Sequence, residues 1–266
     1  MVLSLIILCS LLIGSFLNVI IFRLPQMLSD PRNTTSFNLA WPRSHCPHCQ
    51  QTLRWVELIP IISFCLQRAR CRYCQAPIAW RYPLVECTYT LLIILTYLQF
   101  GLSTLSFMLV LFHALMLSLW VIDYQHQLLP DSLTLIGLWL GLICSVLGGP
   151  ITPSESILAA AGSYLLLRAV ADGYRWCRKQ EGMGGGDMKL LAMLGAWFGT
   201  SVLFILILSV TIALLVTLIR YGSGRLSWQQ PVAFGPFLIL GGWVWLFAQT
   251  WLAPLTQHFL SIVALT

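Results

Sequence analysis

Apolar stretches near residues 2–22, 87–100, 102–122, 133–148, 156–174, 188–199, 201–219 and 232–253 fill most of this 266-residue chain and leave it few ways to fold. In hydrocarbon no water is at hand for the peptide N–H and C=O groups, so a crossing segment must bond its own backbone, which a helix does. Only 9% of the residues are charged, against about a quarter in a soluble domain. The reading is an all-α polytopic membrane protein with about eight transmembrane helices. The stretch 188–219, interrupted at Gly199, is short for two crossings and long for one. We read it as two short helices, in a locally thin or water-accessible region.

Basic residues set the orientation. If the first span enters from outside, residues 23–86, 123–132, 175–187 and 220–231 face inward, and these segments or their flanks hold all 15 Lys and Arg. The net charge of +6 is then a topology signal rather than a nucleic-acid footprint, so lipid is an expected partner and nucleic acid is not. The expected domains are a first transmembrane helix (1–22), an inward, cytoplasmic segment (23–86), a transmembrane bundle (87–253) and a C-terminal tail (254–266).

The inward segment carries Cys46-Pro47-His48-Cys49 and, after 21 residues, Cys71-Arg72-Tyr73-Cys74. Two such pairs present four thiolates to one ion, the arrangement of tetrahedral structural zinc, and a reducing cytosol disfavours disulfides. A segment of about 60 residues has little core, so a metal would supply folding energy that burial cannot. We expect a small zinc-ribbon-like domain, with Cys46, Cys49, Cys71 and Cys74 as ligands. Cys9, Cys65, Cys87, Cys144 and Cys177 lack such spacing and read as small apolar packing residues.

Two acids stand at the edges of apolar runs, Asp123 and Asp187, the latter closing Gly182-Met183-Gly184-Gly185-Gly186-Asp187. An ionised side chain there is costly without a task or a partner. Glycine offers bare backbone to an approaching chain, which makes Gly184 and Gly186 candidates for substrate contact. Together these features suggest peptide hydrolysis within or beside the membrane. Two carboxyl groups close together share a proton, so one activates water as a base while the other acts as an acid. Blander readings stand beside this one. Asp187 or Asp131 can serve as a helix cap, and Glu57 and Glu86 can pair with nearby arginines. Asn18 can make either an interhelical hydrogen bond or a contact with substrate backbone, and His113 a hydrogen bond inside the bundle. A proton-coupled transporter using the same acid pair is the alternative function.

The ordered strings Gly14-Ser15-Phe16-Leu17-Asn18-Val19, Arg23-Leu24-Pro25, the cysteine pairs, Arg81-Tyr82-Pro83-Leu84-Val85-Glu86, Leu128-Leu129-Pro130-Asp131, Gly184-Gly185-Gly186-Asp187-Met188-Lys189-Leu190 and Phe234-Gly235-Pro236 together resemble the bacterial type IV prepilin peptidases. The resemblance runs from about residue 11 to residue 240. It implies an inner-membrane enzyme that cuts the basic leader from prepilins or pseudopilins on the cytoplasmic side and then methylates the new N-terminus with S-adenosylmethionine. Carried over, the catalytic pair falls on Asp123 and Asp187. The chain departs from the family pattern at Ala69, where glycine is usual, and at Leu58, where asparagine is. We expect the added Cβ of Ala69 to crowd methyl transfer and to leave cleavage untouched.

Overall fold

A computed structural model of the protein describes residues 1–29, 38–180, 184–223 and 232–263, with side chains described through residue 249. Gly182, Met183 and most of the inward segment 220–231 lie outside the described residues. Each apolar stretch forms one helix, and a short extra helix lies in the cysteine segment. The helices are α1 (Val2–Ser29), α2 (Ile62–Leu66), α3 (Arg81–Phe100), α4 (Thr104–His126), α5 (Asp131–Val146), α6 (Pro153–Arg178), α7 (Gly185–Phe198), α8 (Val202–Gly222) and α9 (Gly235–Val263). By length and composition α1, α3, α4 and the run Gly185–Gly222 can each cross a membrane. Asp131–Val146 and the Gly235–Gln249 part of α9 are apolar but shorter.

The boundaries expected at residues 22, 86 and 253 all fall inside helices: α1 continues to Ser29, Glu86 lies within α3, and α9 runs to Val263. Helical hydrogen bonding does not stop where the hydrocarbon does, so hydropathy marks the lipid edge rather than the helix end.

Contacts divide the chain into two compact units, Met1–Ile122 and Asp123–Thr266. In the first, α1 and α3 pack so closely that a Cβ at Gly14 would lie 3.0 Å from the Cα of Glu86. Four residues on, the Asn18 Nδ2 donates to the carbonyl of Tyr82 at 3.2 Å, so the two helices run antiparallel. His113, fully buried on α4, meets the hydroxyl of Thr96 at 2.9 Å, the hydrogen bond inside the bundle expected of it.

The second unit is built around α7. A helix that is apolar all round must be enclosed, and from Leu190 to Phe198 every residue of α7 is buried. Small residues let its neighbours close in: Gly137 on α5 meets Met193, a Cβ at Gly141 would lie 2.7 Å from the Trp197 ring, and one at Gly195 would lie 2.7 Å from the carbonyl oxygen of Ala159 on α6. Three donors then tie side chain to backbone across helices. Trp197 Nε1 donates to the Gly137 carbonyl at 2.8 Å, Ser156 Oγ to Ala196 at 2.7 Å and Ser163 Oγ to Leu191 at 3.3 Å.

The doubtful stretch resolves into α7 and α8, separated by one 3₁₀ turn at Gly199–Ser201. Gly199 has φ +58°, a conformation that suits glycine, and ends α7 after 14 residues. At 1.5 Å per residue, α7 is about 21 Å long, shorter than the ~30 Å hydrocarbon layer. Glu155 near the start of α6 holds the break, accepting from the Thr200 amide at 3.1 Å and its hydroxyl at 2.9 Å.

Because Gly195 faces main chain that cannot yield, Gly195→Val is expected to destabilise the second unit by about 1–3 kcal/mol through overpacking. Thermal unfolding in detergent measures it, and an unchanged midpoint would contradict the packing described.

Candidate active site and metal centre

Asp123 sits in the last turn of α4, where Gln127 takes φ +52° and ends the helix. Leu128 and Leu129 then lead to Pro130, the residue before α5. Asp123 is only 5% exposed, and its Oδ2 has no hydrogen-bond partner among the described residues. Leaving a carboxylate oxygen buried and unpartnered is costly, which marks a site kept open for another group.

Gly235, the first residue of α9, is pressed onto this carboxyl. A Cβ there would lie 2.5 Å from Asp123 Oδ2 and 3.3 Å from Leu129 Cδ1. Leu129 in turn covers Gly186, whose added Cβ would lie 2.7 Å from the Leu129 Cβ. This chain of contacts leads to Asp187, the third residue of α7, whose charge interacts with that of Asp123. Asp187 does not cap its helix: Gly184 holds the cap position. The two acids, 64 positions apart in sequence, thus share one end of the second unit.

The neighbouring glycines differ. Gly186 has a packing reason, whereas an added Cβ at Gly184 or Gly185 would meet nothing within 4 Å among the described residues. Asp131 makes no cap hydrogen bond to α5; both of its oxygens accept from Lys189 Nζ at 2.6 Å. That exposed pair adds little energy, but it ties the start of α5 to the first turn of α7. Asn18 lies in the first unit and makes the interhelical bond to Tyr82. Sequence reasoning gave no role to Leu129 or Gly235. The signal for the latter was present, a glycine-proline pair opening an apolar helix, but its contact with Asp123 depends on packing.

The family is decided by comparison. Residues 8–100 match the Bacterial Peptidase A24 N-terminal domain and residues 109–219 match the Type IV leader peptidase family. The prepilin leader peptidase/N-methyltransferase of Aeromonas hydrophila is 37% identical over 276 residues, covering 97% of this chain and 93% of that protein. The chain belongs to the type IV leader peptidase family. Proteins of the same description from Stutzerimonas stutzeri and Dickeya chrysanthemi are each 38% identical, over 96% and 89% of this chain and 92% and 93% of their own lengths. No solved structure matches. These relatives are peptidases and methyltransferases, and the transporter alternative falls away.

The metal centre of this family member is built from two copies of one knuckle. Bridges pair His45 with Thr52 and Arg70 with Pro77. Within each, the first cysteine amide donates across the turn, Cys46 to Gln51 and Cys71 to Ala76, and a glutamine takes a left-handed conformation, Gln50 at φ +60° and Gln75 at φ +59°. The four sulfurs lie within 4.8 Å of one another. Cys46 and Cys74 Sγ are 3.8 Å apart, which equals the edge of a tetrahedron with Zn–S bonds of about 2.3 Å. The backbone N–H groups of Cys74 and Tyr73 hold the Cys71 thiol down at about 7. Although the Ala76 amide draws Cys74 down, desolvation and the neighbouring sulfurs push it up to about 11. One thiolate forms readily and four together need a cation, so the residues fit zinc.

Ala69 also carries a local backbone constraint. It sits at φ +57° on the approach to the second knuckle, where a Cβ is disfavoured.

Two outcomes follow for this centre. Paired replacement of Cys71 and Cys74 by Ser is expected to release zinc and to make residues 38–80 protease-sensitive; metal analysis with limited proteolysis checks it, and zinc retained at full occupancy would refute the ligand set. Ala69→Gly is expected to stabilise the module by up to about 1 kcal/mol, read as a higher unfolding midpoint, and a lower midpoint would refute the strain.

Proposed function

We propose that the protein cleaves the leader peptide of type IV prepilins or pseudopilins by a two-aspartate mechanism and N-methylates the new N-terminus, at the cytoplasmic face of the bacterial inner membrane. The observation that carries this reading is the convergence of Asp123 and Asp187, with an unpartnered Asp123 oxygen, at one end of the second unit. Amide hydrolysis needs an activated water and a polarised carbonyl. A proton shared by two nearby carboxyls supplies both: one takes a proton from water while the other donates to the substrate oxygen. Gly235 and Leu129 restrict the space around Asp123, so the pair is positioned before substrate arrives. The open backbone at Gly184 is where an extended substrate chain has room to run alongside.

Residues 38–80, within the first unit, form the metal module of this reading, held by zinc on Cys46, Cys49, Cys71 and Cys74. The zinc is structural, because four protein sulfurs leave no open coordination position. S-adenosylmethionine supplies the methyl group, and the chain's own task is to bind it and to present the freed N-terminal amine. The cytoplasmic assignment rests on the basic flanks of the helices.

Asp123→Asn and Asp187→Asn are each expected to lower cleavage of a purified prepilin by about 10³-fold or more, with helix content and zinc unchanged. Mass spectrometry reads cleavage and methylation together, and a variant with near-normal turnover would sink the assignment.

A further inference from the structure

Between the two knuckles runs a stretch without a charge, Leu58-Ile59-Pro60-Ile61-Ile62-Ser63-Phe64-Cys65-Leu66-Gln67, bounded by Glu57 and Arg68. It and the turn before it turn large apolar side chains outward: Trp55 is 74%, Ile62 57% and Leu66 75% exposed, and Val56 and Leu58 are exposed too. Trp80, also exposed, joins them through Phe64, with 5.0 Å between ring centroids. So much exposed apolar surface on a short segment calls for a cover.

Its depth tells what that cover is. Ser15 Oγ on α1 donates to the Leu58 carbonyl at 3.5 Å, and Glu86 on α3 accepts from the Ile61 amide at 2.8 Å. Gly14, next to Ser15, packs on Glu86, so both bonds lie at one level of the α1–α3 pair. Ser15 is eight residues from Arg23, the first basic residue of α1, and Glu86 is five from Arg81, the first residue of α3. At 1.5 Å per residue the segment lies about 8–12 Å to the apolar side of those arginines, within one half of a ~30 Å hydrocarbon layer. At the same level α1 and α3 expose Leu12, Phe16, Leu84 and Leu91.

Backbone that leaves the helical pattern at such depth must be satisfied inside the protein. A 3₁₀ turn at Trp55–Leu58 and helix α2 bond their own backbone, and Pro60 between them has no amide to satisfy. Ser15 and Glu86 take the carbonyl and the amide at that join. Glu86, 6% exposed and without an ion pair among the described residues, thus serves the backbone rather than the arginine that the sequence allowed. Ile61, a β-branched residue, is held at φ +58°, the conformation in which its amide reaches Glu86.

We propose that Trp55–Leu66 is a re-entrant segment that inserts among phospholipid acyl chains in the leaflet bordered by Arg23 and Arg81, with Trp55, Ile62 and Leu66 against lipid. Arg54 and Arg68, exposed at its two ends, meet the phosphate headgroups, and tryptophan suits the boundary between headgroup and hydrocarbon. The segment between the knuckles then belongs to the membrane, and the knuckles themselves are held at its surface.

The test uses the full chain, zinc-loaded, in nanodiscs of phosphatidylethanolamine and phosphatidylglycerol. Cys65, exposed within the segment, is a native probe, and Cys177, exposed among Arg175, Arg178 and Lys179, is the aqueous reference. A charged maleimide is excluded from hydrocarbon, so it is expected to label Cys65 about tenfold or more slowly than Cys177, each rate taken relative to the unfolded chain. Phospholipid with a diazirine in its acyl chain is expected to label the tryptic peptide Trp55–Arg68 and to spare the first-knuckle peptide Ser44–Arg54. Neither measurement needs a variant to fold. Cys65 labelled as fast as Cys177 would overturn the proposal. Shielding of Cys65 with no acyl-chain label on Trp55–Arg68 would also overturn it, because a second copy of the chain would then be the cover.

Discussion

The enclosure of α7 is the constraint from which the geometry of the acid pair follows. A helix without a polar face has to be surrounded, and α5, α6, α8 and α9 all pack against it. Apolar helices gain nothing from being driven together in lipid, so the fit comes from close approach and from hydrogen bonds between helices. Glycines on α5 and α7 provide the approach, and Trp197, Ser156 and Ser163 provide the bonds. Held this way on several sides, α7 has little freedom to slide or turn. Asp187, in its first turn, inherits that rigidity without needing a hydrogen-bonded clamp of its own.

Much of the fold was legible because membrane helices announce themselves by local composition. Each apolar run became a helix, and Gly199 marked the break between α7 and α8. Helix ends were not legible: α1 crosses Arg23 and Pro25, since a polar residue stops lipid burial but not a helical turn. The acids were legible for the same reason as the helices, because charge is rare in such a chain. Their surroundings were not. Asp131 reads locally as a cap, and its partner Lys189 lies 58 positions away. Leu129 and Gly235 act by shape alone, and no local pattern encodes which side chain a glycine must clear. Ala69 shows the opposite case, in which a departure from family pattern was visible but the positive φ at that position was not.

The knuckle module shows how a short segment obtains order with little core. Among its cysteines only Cys46 and Cys71 are buried, and the flanking turns are fixed by hydrogen bonds that recur at an offset of 25 residues, from 45 to 70 and from 52 to 77. Repetition of the same turn places the two pairs of sulfurs on one point. The tetrahedron is therefore set by backbone geometry, and the metal locks it.

That same convergence has a redox consequence. Four thiols within 4.8 Å of one another, one of them held at about 7, form a reactive cluster whenever the ion is missing, because the thiolate is the form that oxidants attack. Coordinated to zinc, these sulfurs are held as ligands and shielded; stripped of it, they are near enough to cross-link in wrong pairings. Metal binding and thiol oxidation therefore draw on the same four sulfurs.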